Sequence, residues 1–227
     1  MRYKNLHLHS WKVTPKEAIQ IQKTLAKNIG QKPKKLNAQT IAGVDVSFQE
    51  EKCCAAICIF KLPSLEPIEQ KTTITPITFP YIPTLLTFRE GPAVLRCFGK
   101  IKNVPDVIIF DGQGIAHPRK MGLATHIGIW LDIPTIGCAK TPLYGKFSQP
   151  PQAKGSYSPI TEVKTIIGAV IRTRDGIKPV FVSVGYKIRL EDAIAITLST
   201  CTKYRLPEPI RAAHTLSKTT LKRKLQR

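Results

Sequence analysis

The sequence lacks long hydrophobic runs, low-complexity tracts and internal repeats. No apolar stretch approaches the ~20 residues that a membrane-spanning helix needs. The residues after Met1 are basic and polar, so we expect no signal peptide and a cytoplasmic location. A hydrophobic content of 42% excludes a wholly disordered or fibrous chain. The length of 227 residues suits one large domain or two small ones.

Cysteine pairs with metal-site or redox spacing are also missing, because no two cysteines form a CxxC pair. The cysteines lie inside apolar segments, which predicts buried, reduced thiols in an intracellular protein. They are Cys53, Cys54, Cys58, Cys97, Cys138 and Cys201. A chain of this length buries enough surface to need no disulfide or metal staple.

Acidic residues are scarce. Lys and Arg number 35 and Asp and Glu 15, and the difference, 35 − 15, is a formal net charge of +20 with neutral histidines. Such a surplus favours polyanionic partners, with nucleic acid first, because neutralising phosphates releases counterions. A basic surface that serves only solubility is the alternative, and charge alone identifies no chemistry.

The first half of the chain predicts a helix followed by an antiparallel meander. Thr14 and Glu17 form a capping box for a helix over residues 15–29, with Gly30 as its stop. A basic loop follows at residues 31–35. Three strand-like segments with short connections then cover residues 41–48, 53–62 and 70–76.

In the second half, the strands expected before the loop at residues 146–159 alternate with helices, which indicates buried parallel pairing, and two more strands follow the loop. The helices are expected at residues 92–101, 121–132 and 190–200, and the strands at 105–111, 134–140, 164–172 and 178–187. A loop covers residues 146–159, and Asp175-Gly176 favours a hairpin between the last two strands. Residues 216–227 read as a mobile basic tail. The sequence therefore predicts an α/β fold with a mixed sheet, in one domain that covers residues 1–227.

Three acids stand out by position. Asp45 interrupts an apolar strand, Asp111 ends another, and Glu90 lies just before the predicted helix at residues 92–101. A carboxylate in or beside a buried strand is costly unless it is paired or binds a cation. Together the three would form a hard oxygen site suited to Mg²⁺ or Mn²⁺, which activates water for phosphodiester hydrolysis. A salt bridge to the abundant Lys and Arg is the alternative for each acid taken singly.

Two loops add candidate binding groups. Gly112 and Gly114 follow Asp111, and glycines there allow close approach of a base or a phosphate, although a plain turn is the commoner use. His117 brings an imidazole to the same loop. The segment Pro80–Pro83, with Tyr81 and Ile82 between two prolines, predicts a rigid tip that can enter a base stack. A loop packed on the core is the alternative.

These motifs, taken in order, closely resemble the endonuclease V family of deoxyinosine 3′-endonucleases. They are IAGVDVSF, PYIPTLLTFREGP, DGQGIAHPRKMGLATHIG, GCAK and KPVFVSVGYKI. The resemblance implies a ribonuclease H-like fold and Mg²⁺ dependence, with Mn²⁺ as an alternative ion. It also implies cleavage of the second phosphodiester bond 3′ to a deaminated adenine, which leaves 3′-hydroxyl and 5′-phosphate ends.

The resemblance implies a role for each matching residue. Asp45, Asp111 and Glu90 are similar to the metal-binding acids. His117, Lys140 and His214 match active-site positions, and Lys140 would meet the scissile phosphate. The remaining matches are the wedge of Pro80, Tyr81, Ile82 and Pro83, and the glycines that border the hypoxanthine pocket, Gly112 and Gly114.

Two departures and two alternatives accompany this resemblance. Tyr186 stands where relatives often have His, which leaves the acids intact. Thr84 stands where the family usually has glycine after the wedge, and a β-branched residue resists positive φ. The substrate is expected to be DNA containing deoxyinosine, with an RNA-directed enzyme of the same fold as one alternative. A non-catalytic nucleic-acid-binding module is the other. No protein partner is evident, and a monomer is the default.

Overall fold

A computed structural model of the protein describes residues 8–27, 29, 33 and 35–225. Over these residues the chain forms five helices and eight strands. The helices are α1 (Pro15–Ala26), α2 (Leu86–Phe98), α3 (Leu123–Leu131), α4 (Leu190–Ser199) and α5 (Glu208–Leu225). The strands are β1 (Thr40–Gln49), β2 (Lys52–Lys61), β3 (Pro67–Pro76), β4 (Val107–Phe110), β5 (Thr135–Ala139), β6 (Tyr157–Glu162), β7 (Thr165–Ile171) and β8 (Val180–Tyr186).

The strands form one mixed sheet in the order β3-β2-β1-β4-β5-β8-β7-β6. Strands β1, β2 and β3 are an antiparallel meander, and β1, β4 and β5 are parallel. Strand β8 pairs antiparallel with both β5 and β7. The structure thus confirms the mixed α/β sheet, with the meander and the parallel strands in the predicted order.

Helices cover both faces of the sheet. Alternate strand residues point to opposite faces, so each central strand feeds two apolar layers. Helices α2 and α3 pack on one face through residues such as Phe98 and Ile127. Helices α4 and α5 pack on the other face through residues such as Ile194 and Ile210. The α5 backbone comes very close to β1, because a Cβ added at Gly43 would lie 2.0 Å from the carbonyl oxygen of Pro209.

The predicted boundaries were wrong in the middle of the chain. Helix α2 begins at Leu86, so Pro92 lies inside the helix and Glu90 belongs to it rather than preceding it. Core packing outweighs the hydrogen bond that an internal proline removes, since Phe88 and Phe98 of this helix are fully buried. Residues 157–159, expected in a loop, belong to β6.

The termini also differ from the prediction. Helix α1 has the predicted capping box but ends at Ala26. Its proposed stop, Gly30, and residues 31, 32 and 34 of the basic loop lie outside the described residues. The expected mobile tail is wrong: residues 216–225 belong to α5, because an apolar stripe that includes Ile210, Ala213 and Leu221 packs against the sheet.

The structure also bears on the cysteines and on the hydropathy of the helices. All six cysteines are buried and free, as predicted. Among the described residues, no helix is both long enough and apolar enough to cross a membrane.

Candidate functional site

Asp45 and Asp111 lie side by side at one edge of the sheet. Val44 of β1 is paired in register with Phe110 of β4, and each acid is the next residue along its strand direction. Because the two strands are parallel, both of them bring their acid to the same edge of the sheet. The β1–β4 register therefore brings the two aspartates together, as predicted.

Helix α5 supplies the partners of Asp45. Its residues His214 and Ser217 are neighbours on one helix face, and His214 Nδ1 lies 3.2 Å from Asp45 Oδ2. The Ser217 hydroxyl donates to the same oxygen at 2.9 Å and lies 2.7 Å from the hydroxyl of Ser47. Burial raises the pKa of Asp45, the Ser217 hydrogen bond opposes this, and the negative charge of Asp111 raises the pKa further.

Glu90 approaches this pair from α2. It is 7% exposed, and burial, followed by the charges of Asp45 and Asp111, raises its pKa well above the ordinary value. Within the described part of the chain, its carboxylate makes no hydrogen bond or ion pair. Buried carboxylates whose charges act on one another are costly unless a cation offsets them.

The acids fit a divalent cation, although they are not gathered into a closed cage. Lys140 Nζ pairs with Asp111 and offsets part of the negative charge, and His214 Nδ1 contacts Asp45. Among the residues that the structure describes, no group of three His, Cys, Asp or Glu side chains is close enough to hold a metal ion as it stands. A hard cation with oxygen ligands suits this donor set, because it would draw on all three carboxylates.

A cavity of about 220 Å³ lies beside the acids. This volume is several times the ~30 Å³ that a water molecule occupies in the liquid. Gly112 and Ala139 lie in its lining next to Asp111 and Lys140, and Tyr81 stands at its rim with 70% of its surface exposed. The rest of the lining is Ile82, Pro83, Thr84, Leu86, Thr87, Gln113, His117, Met121, Gly122, Leu123, Thr141, Pro142 and Leu143.

The predicted wedge divides into an exposed part and an anchored part. Pro80, Tyr81 and Pro83 are exposed, whereas Ile82 packs against a cluster that contains Phe79 and Phe88. The core contact and the two prolines hold the turn rigid, so Tyr81 projects from a fixed base.

Thr84 adopts the conformation that its side chain disfavours, with φ = 72°. A left-handed backbone costs roughly 1–2 kcal/mol for a residue with a Cβ. The carbonyl of Thr84 accepts from Gln22 Nε2 at 2.9 Å and from Arg119 Nη2 at 3.1 Å, and Arg119 also bonds the hydroxyl at 2.5 Å. Gln22 is fully buried and accepts from Arg119 Nε at 2.6 Å. These bonds offset the strain and tie α1 to the cavity wall. No local sequence signal reveals this link.

His117 belongs to the same wall rather than to the acids. Its Nδ1 accepts from the Arg119 backbone at 3.1 Å, so its Nε2 carries the proton and donates to the Thr84 carbonyl at 2.9 Å. Burial lowers the pKa of His117 to about 4. Both ring nitrogens are therefore occupied, and the neutral ring braces the cavity.

The two glycines of the loop have different positions. Gly112 lines the cavity, and a Cβ there would meet only Leu123 at ordinary contact distance. Gly114 lies outside the cavity lining, because it packs against β8, where a Cβ would be 2.0 Å from the Val184 carbonyl oxygen. Its position requires glycine for close packing, so the structure does not bring it to the expected pocket border.

We expect His117 to make stability depend on pH. A pKa lowered from 6.5 to about 4 means that, as the pH falls, His117 binds a proton in the unfolded chain before it does so in the folded protein. Stability is then present above pH 6.5 and lost as the pH falls towards 4, by roughly 3 kcal/mol for this group. Asp45 and Glu90, whose pKa values are raised, act in the opposite direction. Urea unfolding at several pH values should therefore show a shallower acid loss for His117→Gln than for the wild type. Parallel curves would contradict the prediction.

Comparisons with known proteins agree on one family. A sequence profile of endonuclease V matches residues 23–215. Endonuclease V from Dictyoglomus turgidum is 47% identical over 210 residues, which cover 92% of each chain. The crystal structure of endonuclease V from Streptomyces avermitilis superposes with a TM-score of 0.90 at 35% identity, and covers 95% of this chain and 96% of that one.

A second solved structure contains nucleic acid. It is endonuclease V from Ciona intestinalis in complex with a 24mer DNA that contains an inosine followed by a ribo-adenosine. It superposes with a TM-score of 0.79 at 27% identity, and covers 92% of this chain and 98% of that one.

Proposed function

Because this chain belongs to the endonuclease V family, we propose that it is a metal-dependent endonuclease that recognises deoxyinosine in DNA. It hydrolyses the second phosphodiester bond 3′ to the deaminated base and leaves 3′-hydroxyl and 5′-phosphate ends. The product of this reaction is a strand nicked beside the lesion, and DNA repair can begin at such a nick. The single-domain organisation, the monomeric state and the cytoplasmic location stay predictions.

The observation that carries this proposal is the adjacency of the paired acids and the cavity. Asp111 is followed at once by Gly112 of the cavity lining, and Lys140, which contacts Asp111, stands between Ala139 and Thr141 of the same lining. A base held in the cavity therefore keeps the neighbouring phosphates near the carboxylates. Positioning of this kind lowers the barrier by fixing the reacting groups before the reaction.

Asp45, Asp111 and Glu90 are the proposed ligands of Mg²⁺, with Mn²⁺ as an alternative ion. When bound, the ion lowers the pKa of a water molecule and offsets charge on the phosphate. With Asp111 bound to the ion, its carboxylate would no longer require the ammonium group of Lys140. Lys140 would then contact the scissile phosphate instead. His214 and Ser217 orient Asp45 through their contacts with Oδ2.

Base selection is proposed to combine unstacking and edge recognition. Hypoxanthine pairs less well than adenine with its partner, so extrusion costs less. Tyr81, exposed on its rigid turn, would fill the space that the extruded base leaves. Hypoxanthine also presents an O6 acceptor and an N1–H donor, and backbone groups beside Gly112 could distinguish this edge from that of adenine.

An oligonucleotide assay tests the proposal. We expect the wild type to cleave an inosine duplex in the presence of Mg²⁺, and to cleave neither an adenine duplex nor an inosine duplex in EDTA. The same inosine sequence made as RNA tests the RNA-directed alternative, because faster cleavage of RNA would support it. Equal rates on inosine and adenine would defeat the proposal, and metal-independent binding without cleavage would favour a binding module.

A further inference from the structure

A second cavity, of about 470 Å³, lies on the other side of Lys140. We call it the cationic cavity because Lys140, Arg172, Lys178 and Arg205 line it together with Gln152, and no carboxylate is among its described lining residues. Its walls come from adjacent strand ends: Ala139 of β5 pairs with Phe181 of β8, and β8 pairs with β7. These strand ends lie at the edge that carries the acids.

Arg172 gives this cavity a buried positive charge. The residue is 4% exposed, and its guanidinium donates to the carbonyl oxygens of Ile177 at 2.5 Å, Pro150 at 3.1 Å and Pro151 at 3.2 Å. No carboxylate within the described ranges pairs with it. A buried cation held by neutral carbonyls keeps its full charge, so it favours an anion in the adjoining space.

The cations that line this cavity suit a phosphodiester. Lys178 and Arg205 add two further charges, and the amide of Gln152 adds a neutral hydrogen-bond donor. Lys and Arg are the usual phosphate contacts of proteins that bind nucleic acids, and such contacts carry no base information. The cavity thus has the features of a site for the sugar-phosphate backbone.

The order of the sites along the edge sets a polarity. Ala139 and Thr141 line the base cavity, whereas Lys140 between them lines the cationic cavity and contacts Asp111. Lys140, with its contact to Asp111, therefore lies between the two cavities. With the base in the first cavity and the cut on its 3′ side, the strand reaches the cationic cavity only after it has passed Asp111 and Lys140.

We propose that the cationic cavity binds the backbone phosphate of the cleaved strand immediately 3′ to the scissile bond. This inference rests on the proposed function, which supplies the direction of the strand. It assigns Lys178 and Arg205 as phosphate-binding residues and Arg172 as the residue that shapes the cavity.

A charge-neutralised substrate tests the proposal. An inosine duplex with one methylphosphonate linkage immediately 3′ to the cut is compared with the unmodified duplex, using the wild type, Lys178→Ala and Arg205→Ala. A hydrogen bond to a charged group corresponds to about a tenfold effect. We expect the wild type to lose roughly tenfold in kcat/KM on the modified duplex, and each variant to lose a similar factor on the normal duplex. A variant measured on the modified duplex should show no more than one such loss, because both changes remove the same contact.

The control variant is Lys102→Ala, which makes the same change of charge. Lys102 is exposed and precedes β4, so it lies at the opposite edge of the sheet from Asp111. It should keep the full sensitivity of the wild type to the methylphosphonate. Arg172 is left unchanged, because its three carbonyl contacts make folding depend on it.

The outcomes separate the two proposals. If the wild type cleaves inosine duplexes but the losses multiply, or if the variants couple only to linkages 5′ to the cut, the cavity assignment is overturned and the proposed function stands. If the wild type cleaves no inosine duplex, the proposed function fails and the assignment fails with it. Salt titration adds a second readout: each variant should reduce the slope of log affinity against log salt by about 1.

Discussion

Asp111→Asn should reduce the cleavage of an inosine duplex by roughly a thousandfold or more, since loss of a metal ligand removes several kcal/mol of charge stabilisation. The neutral amide keeps the shape of the side chain but cannot offer a charged oxygen to a cation. Lys140 loses its ion-pair partner and becomes available to a phosphate. DNA affinity should therefore be unchanged or higher. Single-turnover cleavage and equilibrium binding, measured on the same duplex, check the two halves of this prediction.

The control for Asp111→Asn is Glu66→Gln. Glu66 is an exposed acid between β2 and β3, at the edge of the sheet away from the aspartates. Replacing it with glutamine changes the net charge by the same amount but leaves the site untouched. We expect it to cleave at the wild-type rate. An Asp111→Asn variant that still cleaves at a comparable rate would remove Asp111 from the mechanism. A wild type that binds the duplex without cleaving it would instead leave the non-catalytic module to explain the charge and the exposed tip.

The central sheet could be predicted because its sequence signals are local. Apolar β-branched segments predict buried strands, and parallel neighbours deliver the residues after them to one edge. Asp45 and Asp111 could therefore be predicted in and after buried strands, whereas the pairing of β1 with β4 that brings them together is not a local signal. Glu90 was singled out by its position and by family resemblance, while its element was assigned wrongly, because Pro92 suggested a helix start and the burial of Phe88 decided otherwise.

The rest of the site depends on contacts between distant parts of the chain. Ser217 was missed because the Lys- and Arg-rich end of α5 resembled a solvated tail, and its weak apolar stripe matters only against the sheet. Gln22 reaches Thr84 across 62 positions, a link that a polar residue in a surface helix does not reveal. Thr84 at positive φ contradicts its own local preference, and strained residues of this kind are common where a binding site needs a fixed shape.

Gly43→Ala should be the most disruptive single change at the back of the site. A Cβ on residue 43 would lie 2.0 Å from the Pro209 carbonyl oxygen and 2.7 Å from the Ile210 backbone nitrogen, and neither backbone atom can rotate away. Helix α5 must then move from β1, so we expect a loss of about 3 kcal/mol in the free energy of unfolding. Because α5 carries His214 and Ser217, Asp45 should lose both partners, and cleavage should fall even at temperatures where the variant is folded.

Urea unfolding and cleavage by the folded variant measure these two effects, and Gly155→Ala is the control. Gly155 has φ = 88°, and a Cβ there meets nothing within 4 Å, so alanine incurs only the left-handed conformation. That costs roughly 1–2 kcal/mol. The comparison separates conformational cost from displacement of α5. If Gly43→Ala were no less stable than Gly155→Ala and cleaved like the wild type, the close approach of α5 to β1 would not support the site, and Asp45 would keep its orientation without that helix.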